Sequence, residues 1–226
     1  MVVDFHSHIL PAVDHGSDSL ATSLKQIKFA THYGVERIIS TSHFYPHSRS
    51  ATSFIERREK AFCDLKNALG DSKVTLALGA EVLLCNSIEN LPYISELCIT
   101  GTKTLLLELP FSDFQVSYCH SVYNLSSMGY TVVMAHAERY DKSWINETLA
   151  AGAKLQLNAG VFSPFKIKKV LPWLEKGDAV AIGSDIHGAD ASAYKKFKRA
   201  VEKAENIAPQ IRSFSDNLWT SILNNS

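Results

Sequence analysis

Two histidines separated by one residue occur close to the start of the chain, in the segment VVDFHSH. This segment is rich in β-forming residues, which predicts a strand that begins at Val2. Side chains alternate faces along a strand, so His6 and His8 point to the same side. Pro11 cannot continue a strand ladder, and it therefore places both imidazoles at the carboxyl end, with Asp14 in the following loop. These residue types are candidate metal ligands, although a histidine pair alone is more often structural.

Similar side chains end six of the seven strands that the sequence predicts. Glu81 and Glu108 lie in apolar strands, where an unpaired carboxylate is very costly and no Lys or Arg of a neighbouring strand lies level with it. Metal cations would supply the missing charge. Five imidazoles and four carboxylates exceed the needs of one tetrahedral zinc, so we expect a multinuclear site that suits Mn, Fe or Zn. The candidate ligands are His6, His8, Asp14, His43, Glu81, Glu108, His136, Asp185 and His187.

Strands and helices alternate along the chain. Apolar runs predict strands within VVDFHSH, ERIISTSH, KVTLALGAEVLL, KTLLLELP, YTVVMAHAER, AKLQLNAG and DAVAIGSDIHG. Helical periodicity predicts helices at about 20–33, 51–69, 113–128, 143–151, 164–176 and 189–206, and a short one after Pro209. Ser163 is the expected cap of the fifth helix, with Pro164 at its first position.

Seven strands, each followed by a connection, predict parallel pairing through right-handed crossovers. Continuous apolar runs predict strands that are buried on both faces. We therefore expect an α/β fold, a distorted (β/α)7 barrel with the metal site at the carboxyl ends of the strands. An open doubly wound sheet is the alternative, but it would concentrate function at one switch point. The 226 residues, 46% of them hydrophobic, fit one domain over residues 1–226.

Composition restricts the classes of partner. Lys plus Arg and Asp plus Glu both number 23, so no global charge favours nucleic acid or an acidic membrane surface. No signal-peptide pattern or membrane-spanning apolar run is present, which predicts a cytoplasmic protein without membrane insertion. The four cysteines lack a C-x-x-C pairing and are expected to be free, buried thiols. The other four histidines are expected to face solvent, with His15 and His47 nearest to the rim of the site.

The motifs around the candidate ligands resemble the PHP (polymerase and histidinol phosphatase) superfamily. Within it, they are most similar to the bacterial metal-dependent protein-tyrosine phosphatases of capsule and exopolysaccharide synthesis. The resemblance covers nearly the whole chain and is carried by DFHSHILPAVDHG, TSH, GAE, LLLELPF, MAHAERY and GSDIH, in the family's order and spacing. It implies a PHP/TIM-like barrel and a metal-dependent phosphatase with three divalent ions, Mn²⁺ being expected first and Fe or Zn as alternatives.

The resemblance also implies a division of the ligands among the ions. Glu81 would bridge the first and second ions, and Arg139 falls where the family places a phosphate-binding arginine. The implied sets are His6, His8, Glu81 and Asp185 for the first ion, Glu81, Glu108 and His136 for the second, and Asp14, His43 and His187 for the third.

The chain departs from the family at three places. It reads Asp-His-Gly at 14–16 where members usually have Asp-Asp-Gly, and it has Ala137 where they usually have proline. Neither change removes a ligand. The second arginine that the family carries after its final Asp-x-His is absent from residues 188–192, and the nearest cations are Lys195 and Lys196. Whether either lysine replaces that arginine is left open.

Four carboxylates against three divalent cations would leave the site net positive and attract a dianionic phosphate ester. Water activated by the ions could attack it without a protein nucleophile. A cysteine-dependent phosphatase is excluded, because that mechanism requires an arginine six positions after the cysteine. The residues at those positions are Leu69, Leu91, Thr104 and Leu125.

The expected substrate is a phosphotyrosine protein, with a bacterial tyrosine autokinase as the partner. Two other enzymes stay open, a small-molecule phosphatase of the histidinol-phosphate type and a metal-dependent nuclease. A nuclease should carry a basic groove, which the sequence does not reveal. The alternative of another class is a catalytically silent kinase-binding module. The sequence does not indicate an oligomeric state.

Overall fold

The computed structural model describes residues 3–111 and 114–225. Its nine short strands pair in parallel within one curled sheet, which confirms the predicted α/β class. The predicted starts at Val2 and Asp113 lie outside the described residues. The strands are β1 (Asp4–Ser7), β2 (Arg37–Ser40), β3 (His43–Phe44), β4 (Thr75–Leu78), β5 (Glu81–Leu83), β6 (Thr104–Glu108), β7 (Thr131–Met134), β8 (Lys154–Asn158) and β9 (Ala179–Gly183).

Two of the seven predicted strands are each divided into two. The breaks fall at residues 41–42, between β2 and β3, and at residues 79–80, between β4 and β5. Hydrogen bonds continue across them, since the Glu81 N–H donates to the Ser42 carbonyl at 3.1 Å. The second halves then begin at His43 and Glu81, which are register partners. Both breaks therefore place a candidate ligand at the start of a new strand, rather than at the end of a long one.

The strand pairing runs around a ring when each divided strand is counted as one. β1 pairs with β2 and with β9, β2 pairs with β4, and β5, which continues β4, pairs with β6. The order then passes through β7 and β8 and returns to β9. This arrangement fits the predicted barrel and not an open doubly wound sheet. The prediction of a single domain over residues 1–226 stays a prediction.

Helices follow most of the strands. Ser19 caps α1 by accepting a hydrogen bond from the Thr22 N–H, and α2 ends before Gly70. No helix in the described part of the chain is long and apolar enough to cross a membrane. The helices are α1 (Leu20–His32), α2 (Ala51–Leu69), α3 (Ser117–Ser127), α4 (Lys142–Ala150), α5 (Leu171–Lys176), α6 (Ala191–Ile207) and α7 (Gln210–Asn224).

The predicted helix capped by Ser163 is wrong. Residues 163–170 form turns and a short 3-10 segment, and α5 begins only at Leu171. Pro172 explains the difference, because a proline lacks the N–H that a helix interior needs and is accepted only in the first turn. The helix therefore has to start beside Pro172.

The C-terminal helix is longer than the short one predicted. α7 has 15 residues and buries Leu218, Trp219 and Ile222 against apolar side chains of the strands, including Phe5 and Val133. A larger cluster packs the strands against the remaining helices. The cysteines are free, as predicted, but only Cys98 is buried. Cys63 is exposed, and Cys85 and Cys119 are partly exposed.

Candidate metal centre

The nine predicted ligands gather at the carboxyl-terminal side of the sheet. Each has a side-chain nitrogen or oxygen within 3.8 Å of such an atom in another of the nine. His6, His8 and Glu81 are completely buried, and Glu108 and His136 nearly so. Residues far apart in the sequence thus form one cluster, which we call the donor cluster.

Glu81 lies at the centre of the donor cluster. Its Oε2 is 3.1 Å from His6 Nε2, 3.3 Å from His8 Nε2 and 2.9 Å from His43 Nδ1. Its Oε1 is 2.8 Å from His136 Nε2. Among the described residues, however, no hydrogen bond is directed to Glu81 Oε2 or made by His43 Nδ1. A buried carboxylate oxygen surrounded in this way needs a positive charge beside it.

The tautomers of His6 and His8 follow from their neighbours. The Gln156 Oε1 accepts a hydrogen bond from the His136 backbone N–H at 2.7 Å and lies 3.0 Å from His6 Nδ1, which must therefore be the donor. His8 Nδ1 donates to the Asp14 carboxylate at 2.9 Å. In their neutral forms both rings then present an Nε2 lone pair, and these two atoms are only 3.0 Å apart. Two lone pairs at this distance repel unless a cation lies with them, so the donor set fits a metal ion.

Among the residues that the structure describes, three groups of donors are close enough to hold an ion. They share residues, since Glu81, His8 and His43 each belong to two groups, so the cluster suits more than one ion. In each group the donor atoms lie within 4.8 Å of one another. The groups are His6, His8 and Glu81; His43, Glu81 and Glu108; and His8, His43 and His187.

Asp14 differs from the other candidates because its oxygens are already engaged. Oδ2 accepts hydrogen bonds from His8 Nδ1 and the His43 N–H, both at 2.9 Å, and Oδ1 accepts one from the Gly16 N–H at 2.8 Å. A carboxylate in this position orients a metal-binding imidazole and raises its basicity. A direct bond from Asp14 to a metal stays a prediction.

Charges and burial within the donor cluster shift the pKa values of three of its histidines. Burial would lower the pKa of His8, but interactions with the carboxylates of Asp14 and Glu81 outweigh it and raise the pKa to about 10. In the same way, Glu108 and Glu81 raise the pKa of His136 to about 9 against the effect of burial. Burial and the nearby His8 lower the pKa of His187 to about 4, so His187 is neutral and can bind a metal. Protons therefore occupy part of the site when no metal ion is bound.

Backbone strain accompanies two of the candidate ligands. His136 has φ of +32° and Asp185 has φ of +51°, in the left-handed region that residues other than glycine rarely adopt. They follow β7 and β9 closely. Such strain costs about 1–3 kcal/mol per residue and is concentrated at functional sites. Gly183, the last residue of β9, permits a close approach, since a Cβ there would lie 2.5 Å from the Cβ of His6.

Gln156 and Asn158 of β8 are site residues that the sequence reasoning missed. The Gln156 Nε2 donates to Asn158 Oδ1 at 2.9 Å, and the Asn158 Nδ2 donates to Asp185 Oδ2 at 2.7 Å. β8 corresponds to the one predicted strand without a candidate ligand. The available signal was the pair of amides in the apolar segment LQLN, which places them on one face of the strand.

Comparison with known proteins identifies the family. The model of a family described as "Capsular polysaccharide synthesis, CpsB/CapC" matches residues 2–212. The chain belongs to this family. The resemblance predicted from the sequence motifs is thereby confirmed.

Relatives in the CpsB/CapC family have similar lengths. Tyrosine-protein phosphatase CpsB of Streptococcus pneumoniae is 26% identical over 211 residues, which cover 84% of each chain. The CpsB of Streptococcus agalactiae is 26% identical over 220 residues, 86% of this chain and 88% of the relative. The fold matches a solved structure from a study of YwqE from Bacillus subtilis and CpsB from Streptococcus pneumoniae, described as metal-dependent tyrosine phosphatases. The TM-score is 0.78 at 23% identity, covering 99% of this chain and 95% of that one.

Arg139 lies at the edge of the donor cluster. Its guanidinium forms an ion pair with Asp185 Oδ2, and 42% of the side chain is exposed. It lines a cleft of about 780 Å³ that also contains Asp185, His187 and Lys196. Among the described residues, Lys196 lines this cleft and Lys195 does not. Of the two lysines considered as replacements for a second arginine, Lys196 is therefore the one that lines the cleft.

The exposed His15 ring lies beside the donor cluster. Its centroid is 4.9 Å from that of His43 and 4.7 Å from that of His187. The structure therefore places His15 at the rim of the site, and its exposure agrees with the prediction. His32, His47 and His120 are also exposed.

Proposed function

We propose that this chain is a metal-dependent phosphatase that hydrolyses phosphotyrosine in proteins. The observation that carries the proposal is the buried Glu81 carboxylate, which faces four imidazoles next to a cleft lined by Arg139. Membership of the CpsB/CapC family and relatives named as tyrosine-protein phosphatases support it. Capsular polysaccharide synthesis is the process to which the family description refers.

We assign three divalent ions to the site, with Mn²⁺ as the first choice and Fe or Zn as alternatives. Ions bound there would provide Lewis acidity toward the phosphate ester and an activated water. The charge and the tautomers described above support this assignment. The proposed ligands are His6, His8, Glu81 and Asp185 for the first ion, Glu81, Glu108 and His136 for the second, and Asp14, His43 and His187 for the third.

Two cations of the chain itself would bind the phosphate group. A guanidinium can bind two phosphate oxygens at once, and Arg139 is well placed to do so because it is partly exposed beside the donor cluster. Its ion pair with Asp185 would be exchanged for the phosphate when Asp185 binds a metal. Lys196, which lines the same cleft, would add a second positive charge.

The proposed partner is a bacterial tyrosine autokinase of the capsule pathway, as the sequence motifs imply. Small phosphate esters of the histidinol-phosphate type and nucleic acids are the alternative substrates. A catalytically silent kinase-binding module is the alternative of another class, but kinase binding alone would not require the buried cluster of imidazoles and carboxylates.

Hydrolysis of a phosphotyrosine peptide tests the proposal. Purified protein is assayed with Mn²⁺ and after treatment with a chelator, and bound metal is counted in both samples. We expect turnover only with metal. Equal activity in the two samples would overturn the proposal, and full metal content without turnover of para-nitrophenyl phosphate would favour the silent module.

Glu81→Ala connects the assay to the donor cluster. Removing the central carboxylate should abolish turnover and reduce the amount of bound metal. His32→Ala, an exposed change on α1, is the control and should alter neither. If the Glu81→Ala protein still binds three ions, the proposed bridging role is wrong.

A further inference from the structure

A second cleft of about 590 Å³ continues from the one beside the donor cluster. The two share four lining residues, among them Lys166 and Lys196. Together they form one groove, which leads from Asp185 and His187 outward along α6. We call its outer part the basic groove and define it by the four cations Lys166, Lys196, Arg199 and Lys203.

Three of these cations lie on one face of α6. Lys196, Arg199 and Lys203 are three and four residues apart, the spacing of neighbours on a helix surface. At 1.5 Å per residue they span about 10 Å. The opposite wall is the segment 159–166, to which α6 is tied because the Lys203 Nζ donates to the Phe162 carbonyl at 2.8 Å. The cations therefore line a fixed groove and not a flat helix surface.

The positive charge of the basic groove is not balanced locally. In the described part of the chain, none of its four cations has a carboxylate within ion-pair distance, and Glu202 is the one acidic residue that lines the outer cleft. The inner cleft is more balanced, with Glu138, Asp185 and Asp190 beside its cations. Since the whole chain has a formal net charge of zero, the excess is a local feature.

We propose that the basic groove binds an acidic stretch of the polypeptide substrate beside its phosphotyrosine. The inference rests on the proposed phosphatase function and adds a sequence preference to it. An extended peptide advances about 3.3 Å per residue, so about three residues fit along the three cations of α6. Because the groove is continuous with the cleft at Arg139, a chain whose phosphotyrosine reaches the donor cluster can enter it directly.

The dimensions favour a peptide over a nucleic acid. Sites for single-stranded nucleic acid usually extend over about 4–16 nucleotides and use several aromatic side chains for stacking. Apart from the candidate ligand His187, the described lining of the two clefts contains two aromatic side chains, Phe162, which is buried, and Phe165, which is exposed. A site about 10 Å long with one accessible ring suits three acidic side chains better.

The kinetic test compares phosphotyrosine peptides that differ only in three flanking residues, Glu in one and Gln in the other, with the triplet placed on either side. For one of the two placements of the triplet, we expect the Glu peptide to have a kcat/KM on the order of tenfold higher than the Gln peptide, because three exposed charge pairs form. The difference should come from a lower KM. The preference should decrease as salt increases. Arg199→Glu should remove it. The matched control is Lys198→Glu, the same charge change at an exposed residue outside both clefts, which should keep it.

Binding without turnover separates this inference from the phosphatase function. Anisotropy of a labelled, unphosphorylated Glu-rich peptide should report binding that Arg199→Glu weakens and Lys198→Glu does not. If para-nitrophenyl phosphate is hydrolysed in a metal-dependent way but all peptides have the same kcat/KM, the inference about the basic groove is wrong and the proposed phosphatase function is unaffected. Tighter binding of an oligothymidylate than of the acidic peptide would also overturn it and would favour a nucleic-acid ligand.

Discussion

Gln156 shows how one uncharged residue can determine the chemistry of a charged site. Its Oε1 accepts from both His6 Nδ1 and the His136 N–H, which fixes the ring of one candidate ligand and the backbone of another. Because the Nδ1 of His6 holds the proton, its Nε2 faces the donor cluster as a lone pair. Sequence reasoning selected histidines and carboxylates because metals prefer them, and it passed over an amide that acts only through its neighbours.

Gln156→Ala should therefore weaken metal binding although it removes no ligand. Loss of a hydrogen bond that orients a metal-binding imidazole typically costs about 10–100-fold in metal affinity. Gln156→Glu keeps an acceptor for both partners but loses the donor to Asn158, so it should retain more of the affinity than the alanine variant. Titration with Mn²⁺ at fixed pH, with folding checked by circular dichroism, makes the comparison. Equal affinities for the wild-type and alanine proteins would show that the hydrogen bond is only structural.

Arg139→Lys tests phosphate recognition at the exposed edge of the site. A lysine keeps the charge but cannot bind two oxygens as a guanidinium does. Loss of such a donor usually costs on the order of 10²-fold in kcat. Metal content should not change, because Arg139 is not a proposed ligand. A kcat within twofold of the wild type would mean that the metals and Lys196 are sufficient for recognition of the phosphate group.

At the scale of elements, the sequence predicted the strands but not their irregularities. All seven predicted strands are present, because apolar runs report burial directly. The breaks at 41–42 and 79–80 were not predicted, since a bend within an apolar run leaves its composition unchanged. The left-handed backbone of His136 and Asp185 was equally invisible, because neither residue is a glycine. These irregularities lie at the site, where local preference gives way to function.

Asp4 of β1 is a buried carboxyl group that lowers the stability of the protein when it ionises. Its Oδ1 accepts from the Ser184 N–H at 2.8 Å, just after β9, and the side chain is fully buried. Burial raises its pKa from 3.8 to about 6, although Ser184 and His6 oppose the change. A carboxyl whose pKa is raised by folding stabilises the protein fully below its unfolded pKa, and this contribution is lost as pH rises through the folded pKa.

Asp4→Asn should therefore change how stability depends on pH. Between about pH 4 and pH 7 the wild-type protein should lose up to ~3 kcal/mol of unfolding free energy through Asp4. The asparagine variant keeps the acceptor for Ser184 and cannot titrate. Its free energy of unfolding, relative to that of the wild type, should therefore increase as pH rises. Urea unfolding of both metal-free proteins at several pH values measures the difference. A constant difference across this range would show that Asp4 does not titrate there.

At the scale of the whole molecule, the barrel and the donor cluster depend on each other. Candidate ligands come from or directly follow six of the seven strands around the ring, and β8 adds Gln156 and Asn158. Nine predicted residues met at one place because parallel strands in a barrel end on the same side, a rule that needs no alignment. Which oxygen or nitrogen faces which neighbour could not be predicted, because it depends on side-chain positions that residue spacing does not determine. Asp14 is an example, since its oxygens accept hydrogen bonds from His8, His43 and Gly16.

Metal removal should consequently destabilise the entire fold. A ligand that binds only the native state at 100 times its Kd adds about 2.7 kcal/mol, or roughly 5–10 °C in Tm for a chain of this size. His8 and His136 must lose their protons to bind metal, and their pKa values of about 10 and 9 make the apparent affinity increase with pH. The increase in Tm on adding Mn²⁺ to chelator-treated protein should thus be larger at pH 8 than at pH 6. Glu81→Ala should reduce the increase at both pH values, whereas His32→Ala should preserve it. An increase in Tm of the same size in the Glu81→Ala protein would place the stabilising ion outside the donor cluster.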